Sequence, residues 1–395
     1  MERNRQTYRF LLLYALAAAG GAIAYVPFLT ILLPMRITDI GGSNDVEWLA
    51  YVTFAGAVTA SLANILFGWL SDLTRNRKYW VIGGLIGSSL LLTAMSQVKS
   101  IEMMIVLVVV WQFALNMMLS PLAAWAGDCV PDSQKGMLGG LLSFSPAMGA
   151  MAAALITYPG LASQDTRLLI VASMVTICVL PAILFGAPKK FPELESSPQN
   201  TAPSEPVSSI ARSTILRMWV ARLLIQISEA ALFAYLYFWF RSIDGSMTDS
   251  NVARIFSVIL VGSIPLALIV GRWADRTNRP IVPLPVNAAL AGIGLLAMAL
   301  SNSLETAIGG YVLFGLTSAV FLALHTSQTL RVLPKPERRG RDLGIFNLTN
   351  TGPSLVVPWL TLALVPLFGF SSLFFLLAGL AFLASLLLIR LPKIS

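Results

Sequence analysis

Arg222, Gln226 and Glu229 fall within one apolar stretch at spacings i, i+4 and i+7, which places all three on one face of a helix. Glu229 is the only acid set deep within any apolar stretch. An ionisable side chain at membrane depth is costly and faces a cavity or a partner. The triplet therefore reads in one of two ways. It is a site that takes up a proton or hydrogen-bonds a solute, or it is an Arg222–Glu229 pair that braces the helices. His325 is the only histidine and lies in another apolar stretch. Its imidazole titrates near neutral pH, which suits proton coupling; the other reading is a histidine satisfied between packed helices.

Gln112 and Asn116 stand i, i+4 in the fourth apolar stretch, and Asn347, Thr349, Asn350 and Thr351 cluster in the eleventh. Such amides and hydroxyls either hydrogen-bond a polyol or join helices to one another. Trp111, Trp125, Tyr235, Tyr237 and Trp239 offer rings on which a sugar can stack. Trp and Tyr near the ends of spans also anchor at the membrane interface, and Trp125, Tyr237 and Trp239 are placed for that. There is no Gly-x-x-x-x-Gly-Lys phosphate cradle and no enzyme constellation, so ATP is not the energy source. One histidine and two separated cysteines, Cys129 and Cys178, make neither a zinc site nor a disulfide framework. No catalytic group, metal or cofactor is expected.

These residues must be positioned by a membrane-embedded frame. The 395 residues are 56% hydrophobic and only 12% charged, with a mean hydropathy of +0.76. A soluble domain does not need that much apolar surface. Apolar runs fall near 8–33, 47–70, 79–97, 101–127, 137–159, 166–187, 213–240, 250–273, 281–301, 305–332, 342–368 and 371–390. Each is about the roughly 20 residues that a membrane helix requires. The first is too long for a signal-peptide core and reads as a retained helix. With the N-terminus inside, the inner loops collect Arg3, Arg5, Arg75, Arg77, Lys78, Lys189, Lys190, Arg276, Arg279, Arg338 and Arg339, which sets both termini in the cytoplasm. The net charge of +8 is spread between spans rather than along one basic face, which excludes nucleic acid as a partner. Phe191–Ser209 is rich in Pro, Ser and Glu and reads as a linker. The expected division is a six-helix bundle at 1–188, a cytoplasmic linker at 189–211 and a second six-helix bundle at 212–395.

The two halves repeat. Gly68-Trp-Leu-Ser-Asp72 runs into Arg75, Arg77 and Lys78, and Gly271-Arg-Trp-Ala-Asp275 runs into Arg276 and Arg279. Each lies between two apolar runs. Val130-Pro131, Lys135-Gly136 and Gly139-Gly140 follow the fourth run; Leu333-Pro334, Arg339-Gly340 and Leu343-Gly344 follow the tenth. Gly- and Pro-containing segments in corresponding positions of two halves point to a binding cavity.

These features resemble the major facilitator superfamily over essentially the whole chain. The loop motif of that family is Gly-x-Leu-Ala-Asp-Arg-x-Gly-Arg-Lys. The second copy matches at Gly271, Ala274, Asp275, Arg276 and Arg279, with Asn278 at the second Gly. The first matches at Gly68, Leu70 and Asp72, but its basic end is displaced and it lacks the second Gly. Arg341 to Pro353 is similar to the eleventh helix of sucrose-type and glycoside-type carriers, and Asp128 to Gly136 resembles their turn after helix four. Ser145-Pro146-Ala-Met-Gly149 resembles part of a helix-five motif of proton-driven drug exporters.

The resemblance implies an all-α membrane protein of twelve transmembrane helices in two pseudo-symmetric bundles that rock about a central site. It implies a secondary transporter of a small organic solute, a sugar or glycoside, driven by protons. The alternative is a proton-antiport exporter of a drug-like or amphipathic metabolite. Glu229, His325 and Arg222 are the expected proton-coupling residues. Gln112, Asn116, Gln226, Tyr235, Asn347 and Asn350 are the expected solute contacts. Gly68, Asp72, Arg75, Arg77, Asp128, Gly271, Asp275, Arg276, Arg279 and Arg331 are expected to gate the cytoplasmic side. The protein is expected to act as a monomer in a bacterial inner membrane, with the lipid bilayer, protons and one solute as its partners.

Overall fold

A computed structural model describes residues 5–131, 134, 138, 141, 142, 144–189, 209–277, 281–332 and 339–389. Every element among them is helical. The expected linker at 191–209 lies almost wholly outside them. The chain divides into two compact units, Met1–Ala202 with Asp249–Ser257, and Pro203–Thr248 with Val258–Ser395.

In the first unit α1 (Tyr8–Pro27) passes through a π turn at Phe28–Leu32 into α2 (Leu33–Gly41), so that one span carries a local bulge next to Pro27. Then come α3 (Asp45–Leu73), α4 (Arg77–Ala94), α5 (Ile101–Cys129), α6 (Ser145–Ile156) and α7 (Gln164–Phe185). Short polar side chains start several of these. Thr7, Asn76, Ser100 and Ser163 accept from the backbone N–H three residues on, satisfying a donor that the first turn leaves unpaired. The second unit holds α8 (Ser209–Ile243), α9 (Asp249–Arg276), α10 (Pro283–Ala299), α11 (Leu304–Val332) and α12 (Arg339–Ile389). Gly369, at φ 75°, divides α12 into two helices. The first turns of α9 group with the first unit, through an Arg167–Asp249 ion pair and a Ser257 hydroxyl donated to the Ala150 carbonyl at 2.6 Å.

Nine of the described helices are long and apolar enough to cross a membrane. The shorter apolar helices Ser145–Ile156 and Pro283–Ala299 fall at the expected fifth and ninth runs, and the break at Gly369 separates the eleventh from the twelfth.

The units repeat one packing scheme. In the first, α1 packs on α6 and α7, α5 on α3 and α4, and α4 on α7. In the second, α8 packs on α12 and α11, and α10 on α11 and α12. Small residues allow the closest of these approaches. A Cβ on Gly84 of α4 would land on the backbone of Met118 in α5. A Cβ on Gly294 of α10 would stand 2.6 Å from the Phe314 nitrogen of α11. Between membrane helices there is no water to expel, so dispersion between closely spaced backbones is what joins them.

The repeated loop motif has a physical reading. Its first glycine lies where helices meet: a Cβ on Gly68 would sit 3.1 Å from the Ser120 hydroxyl, and one on Gly271 would sit 3.3 Å from Leu324. In the first copy Arg75 takes the left-handed conformation, φ 50°, at the position of the missing second Gly. The backbone therefore keeps the left-handed turn without the glycine, and Asn76 then caps α4 through its side-chain oxygen.

Two stability outcomes follow, both read as thermal midpoints of the purified protein in detergent. Gly84→Val costs about 1–3 kcal/mol, because its side chain displaces the α5 backbone, whereas Gly379→Ala, with nothing within 4 Å, is neutral. Arg75→Val costs about 1–2 kcal/mol of left-handed strain, and Arg75→Gly does not destabilise. A tolerated Gly84→Val contradicts the close contact.

Candidate functional site

The polar residues of α8 are sorted among different partners. Glu229 lies near the middle of the Ser213–Ile243 span, with Ser318 and Tyr311 of α11 in electrostatic reach of its carboxyl. Arg222 stands two turns away and turns elsewhere. Its Nε donates to Thr349 Oγ1 at 3.1 Å, its Nη1 to the Leu322 carbonyl at 3.5 Å and its Nη2 to Asn350 Oδ1 at 3.3 Å. Gln226 Nε2 also donates to Asn350 Oδ1. The triplet on one helical face thus splits into a carboxyl site on α11 and a guanidinium–amide site on α12.

His325 is fully buried on α11, with Nε2 2.9 Å from the Met218 carbonyl of α8 and its ring beside Phe321. A carbonyl only accepts, so Nε2 carries a hydrogen. Met218–His325, Arg222–Leu322 and Glu229–Ser318 form one seam between antiparallel helices. Tyr311, Ser318 and His325 stand seven residues apart on α11, so they share a face. That spacing was legible in the sequence. Ser318 itself carries little signal in the sequence, because it is a lone serine in an apolar helix.

The amides of α5 sit in the first unit. Asn116 Nδ2 donates to the Gln112 carbonyl at 2.9 Å, and Asn64 Nδ2 of α3 lies 3.4 Å from Asn116 Oδ1. Ser120 donates to the Asn64 carbonyl at 2.7 Å. Gln112 and Asn116 are buried, so this ladder joins α3 to α5. Trp111 is fully buried edge-on to Phe28 at the π turn, Trp125 packs against Phe10, and Trp239 against Phe374. Tyr235 is also buried. A cavity of about 320 Å³ lined by Trp239, Ser242, Met298, Asn302 and Phe370 lies at the far end of α8, apart from the seam. Gly149 of the helix-five motif is where α6 meets Val26 of α1.

At the ends of α3 and α5, Arg77 is the hub of the charge network. It pairs with Asp72, donates Nε to Asp128 Oδ2 at 2.9 Å and donates Nη1 to the Ser71 hydroxyl at 2.6 Å. Asp72 is 64% exposed and Asp128 49%, so each pair is worth on the order of 0–1 kcal/mol. The network fixes a geometry more than it stabilises the fold. Arg75 is exposed beside it, and Arg276 is exposed at the end of α9. Arg279 and the side chains of Asp275, Arg331 and Asn347 lie outside the described residues. Gln6, which no motif or apolar run marks in the sequence, is buried. It donates to the carbonyls of Cys129 and Lys189 at 2.8 and 3.1 Å, tying the segment before α1 to the ends of α5 and α7.

Removing the seam contact at His325 is expected to cost about 1 kcal/mol in His325→Leu, while His325→Gln, which keeps a donor, retains most of that stability. Equal thermal midpoints for His325→Leu and the unaltered chain would exclude the contact.

No curated protein matches this chain in sequence. Solved structures do match in fold. A nucleoside transporter, NupG, gives a TM-score of 0.71 at 12% identity, over 97% of this chain and 100% of that one. A POT family transporter solved with 5-aminolevulinic acid gives 0.72 at 13% identity, over 98% and 96%. A bacterial homologue of the human lysosomal transporter Spinster, inward-facing and unoccupied, gives 0.69 at 15% identity, over 97% and 98%. The Major Facilitator Superfamily profile matches residues 10–279 and 218–394, and with two repeating helical units and a Gly-x-x-x-Asp turn in each, the chain belongs to that superfamily.

Proposed function

We propose that this membrane transporter carries a sugar or glycoside together with protons by alternating access, with Glu229 as the proton-carrying group. The observation that supports the reading is a carboxyl near the middle of a membrane span with the Ser318 and Tyr311 hydroxyls of α11 in electrostatic reach. Ser318 Oγ also lies 3.3 Å from the Gly315 carbonyl, and a hydroxyl has one hydrogen to give. With Glu229 ionised, Ser318 donates to the carboxylate. With Glu229 protonated, the carboxyl donates to Ser318 Oγ and the serine turns its hydrogen to Gly315. One proton thus reverses a hydrogen bond between α8 and α11 and removes a charge from membrane depth. Tyr311 lies beside the same carboxyl.

Gln226 and Asn350, which are accessible, are the groups proposed to meet solute hydroxyls. Gln112 and Asn116 hold α3 against α5, and His325 holds the register of α11 on α8. Asp72, Arg77 and Asp128 fix the loop between α3 and α4, the proposed gate.

The test is uptake of a glycoside panel into proteoliposomes with an acid-outside pH gradient and with that gradient collapsed. The unaltered protein is expected to accumulate one member only with the gradient. Glu229→Gln is expected to lose accumulation by at least about tenfold while retaining solute exchange. Ser318→Ala is expected to weaken the pH dependence and Ser318→Thr to restore it. Undiminished gradient-driven accumulation in Glu229→Gln removes the proton role. Gradient-driven efflux in place of uptake favours the exporter.

A further inference from the structure

Two donors on α8 converge on one atom of α12. Arg222 Nη2 and Gln226 Nε2 both point at Asn350 Oδ1. The rear of the guanidinium is held by Thr349 Oγ1, which belongs to a fully buried residue, and by the Leu322 carbonyl. Arg222 and Gln226 are half-buried, and Asn350 is exposed. A guanidinium held in place with a second N–H donor alongside, both reaching one exposed oxygen, suits a planar, charged oxygen pair. The carboxamide oxygen of Asn350 fills one acceptor position before those donors with a partial charge. A carboxylate or phosphate offers two or more oxygens and a full charge to the same donors.

We propose that Arg222 and Gln226 receive an anionic oxygen group on the transported solute, which displaces the Asn350 carboxamide as acceptor. The solute is then an acidic sugar, a uronate or a sugar phosphate, rather than a neutral one. This rests on the sugar reading above and narrows it. Glu229 stands two turns along α8 from Arg222, near Ser318 and Tyr311 of α11. The proton site and the anion site therefore lie on one helix with separate partners, and a solute anion and a proton can be bound at the same time.

The test is equilibrium binding to the full chain in a neutral detergent, with no membrane and no gradient. The probes are glucuronate and glucose 6-phosphate, each set against glucose at equal ionic strength. At least one anionic probe is expected to bind about tenfold or more tighter than glucose, the scale of a charge-assisted hydrogen bond. Arg222→Gln is expected to abolish that preference and Arg222→Lys to keep part of it. Asn350→Asp supplies a resident carboxylate, so it is expected to raise the thermal midpoint and block anionic probes. It reads the site even if Arg222→Gln does not fold. Equal binding of charged and neutral probes, a preference that survives Arg222→Gln, or no binding of either anionic probe overturns the proposal. An Arg222-dependent shift with phosphatidylglycerol micelles, but with neither soluble probe, overturns it in favour of a lipid headgroup. The readout needs no proton gradient, so its failure leaves the proton-transport test untouched. Failure of gradient-driven uptake with binding intact removes only that earlier reading.

Discussion

A polar group at membrane depth must find its partner within the protein, and the second unit is arranged around that constraint. Glu229, Arg222 and Gln226 lie within a membrane span with only part of their surface open, so they rely on neighbouring helices for partners. α11 and α12 supply Ser318, the Leu322 carbonyl, Thr349 and Asn350 as partners. Each contact is modest alone, but together they set the register of antiparallel α8 and α11. A one-turn slip would leave a carboxyl, a guanidinium and an imidazole facing apolar side chains at once. The contacts that satisfy these groups are therefore the ones that specify how the helices meet.

The apolar part of the fold answers a different need. Hydrophobicity does not select one helix neighbour over another when lipid is equally apolar, so shape decides. The close approaches at Gly84 and Gly294 occur in corresponding helix pairs, α4 on α5 and α10 on α11. The same holds for the motif glycines Gly68 and Gly271, which face Ser120 and Leu324. Duplication is thus visible in which backbones touch. The charge network around Arg77 adds little stability, since its acids are half-exposed or more. It ties the ends of α3 and α5 to the first residue of α4.

Function of this kind depends on groups that can exchange partners without loss of the fold. Ser318 donates to the Gly315 carbonyl at 3.3 Å and lies near Glu229, so under the proposed proton role its one hydrogen is the group that would change acceptor. Asn350 accepts from both Arg222 and Gln226 and is exposed, which is why the proposal above places the exchange of acceptors there. His325 and the Gln112–Asn116 ladder are buried and bonded to backbone or to one another, which suits them to hold helices in place.

Much of this was legible in the sequence. Apolar run length and hydropathy determine that the chain is helical and membrane-spanning, because backbone groups in lipid have no other partner. The recurring Gly-x-x-x-Asp turns reveal the duplication, and the i, i+4, i+7 spacing places Arg222, Gln226 and Glu229 on one helical face. Partner choice is not written in such local patterns. The spacing allowed an Arg222–Glu229 pair, but only packing decides that Glu229 meets Ser318 while Arg222 meets Thr349 and Asn350. Likewise the missing glycine of the first motif left its turn undefined until the backbone at Arg75 showed the left-handed conformation. Side chains of one helix share a direction by geometry alone. What they touch depends on which distant segment the fold brings alongside, and that is a property of the whole unit.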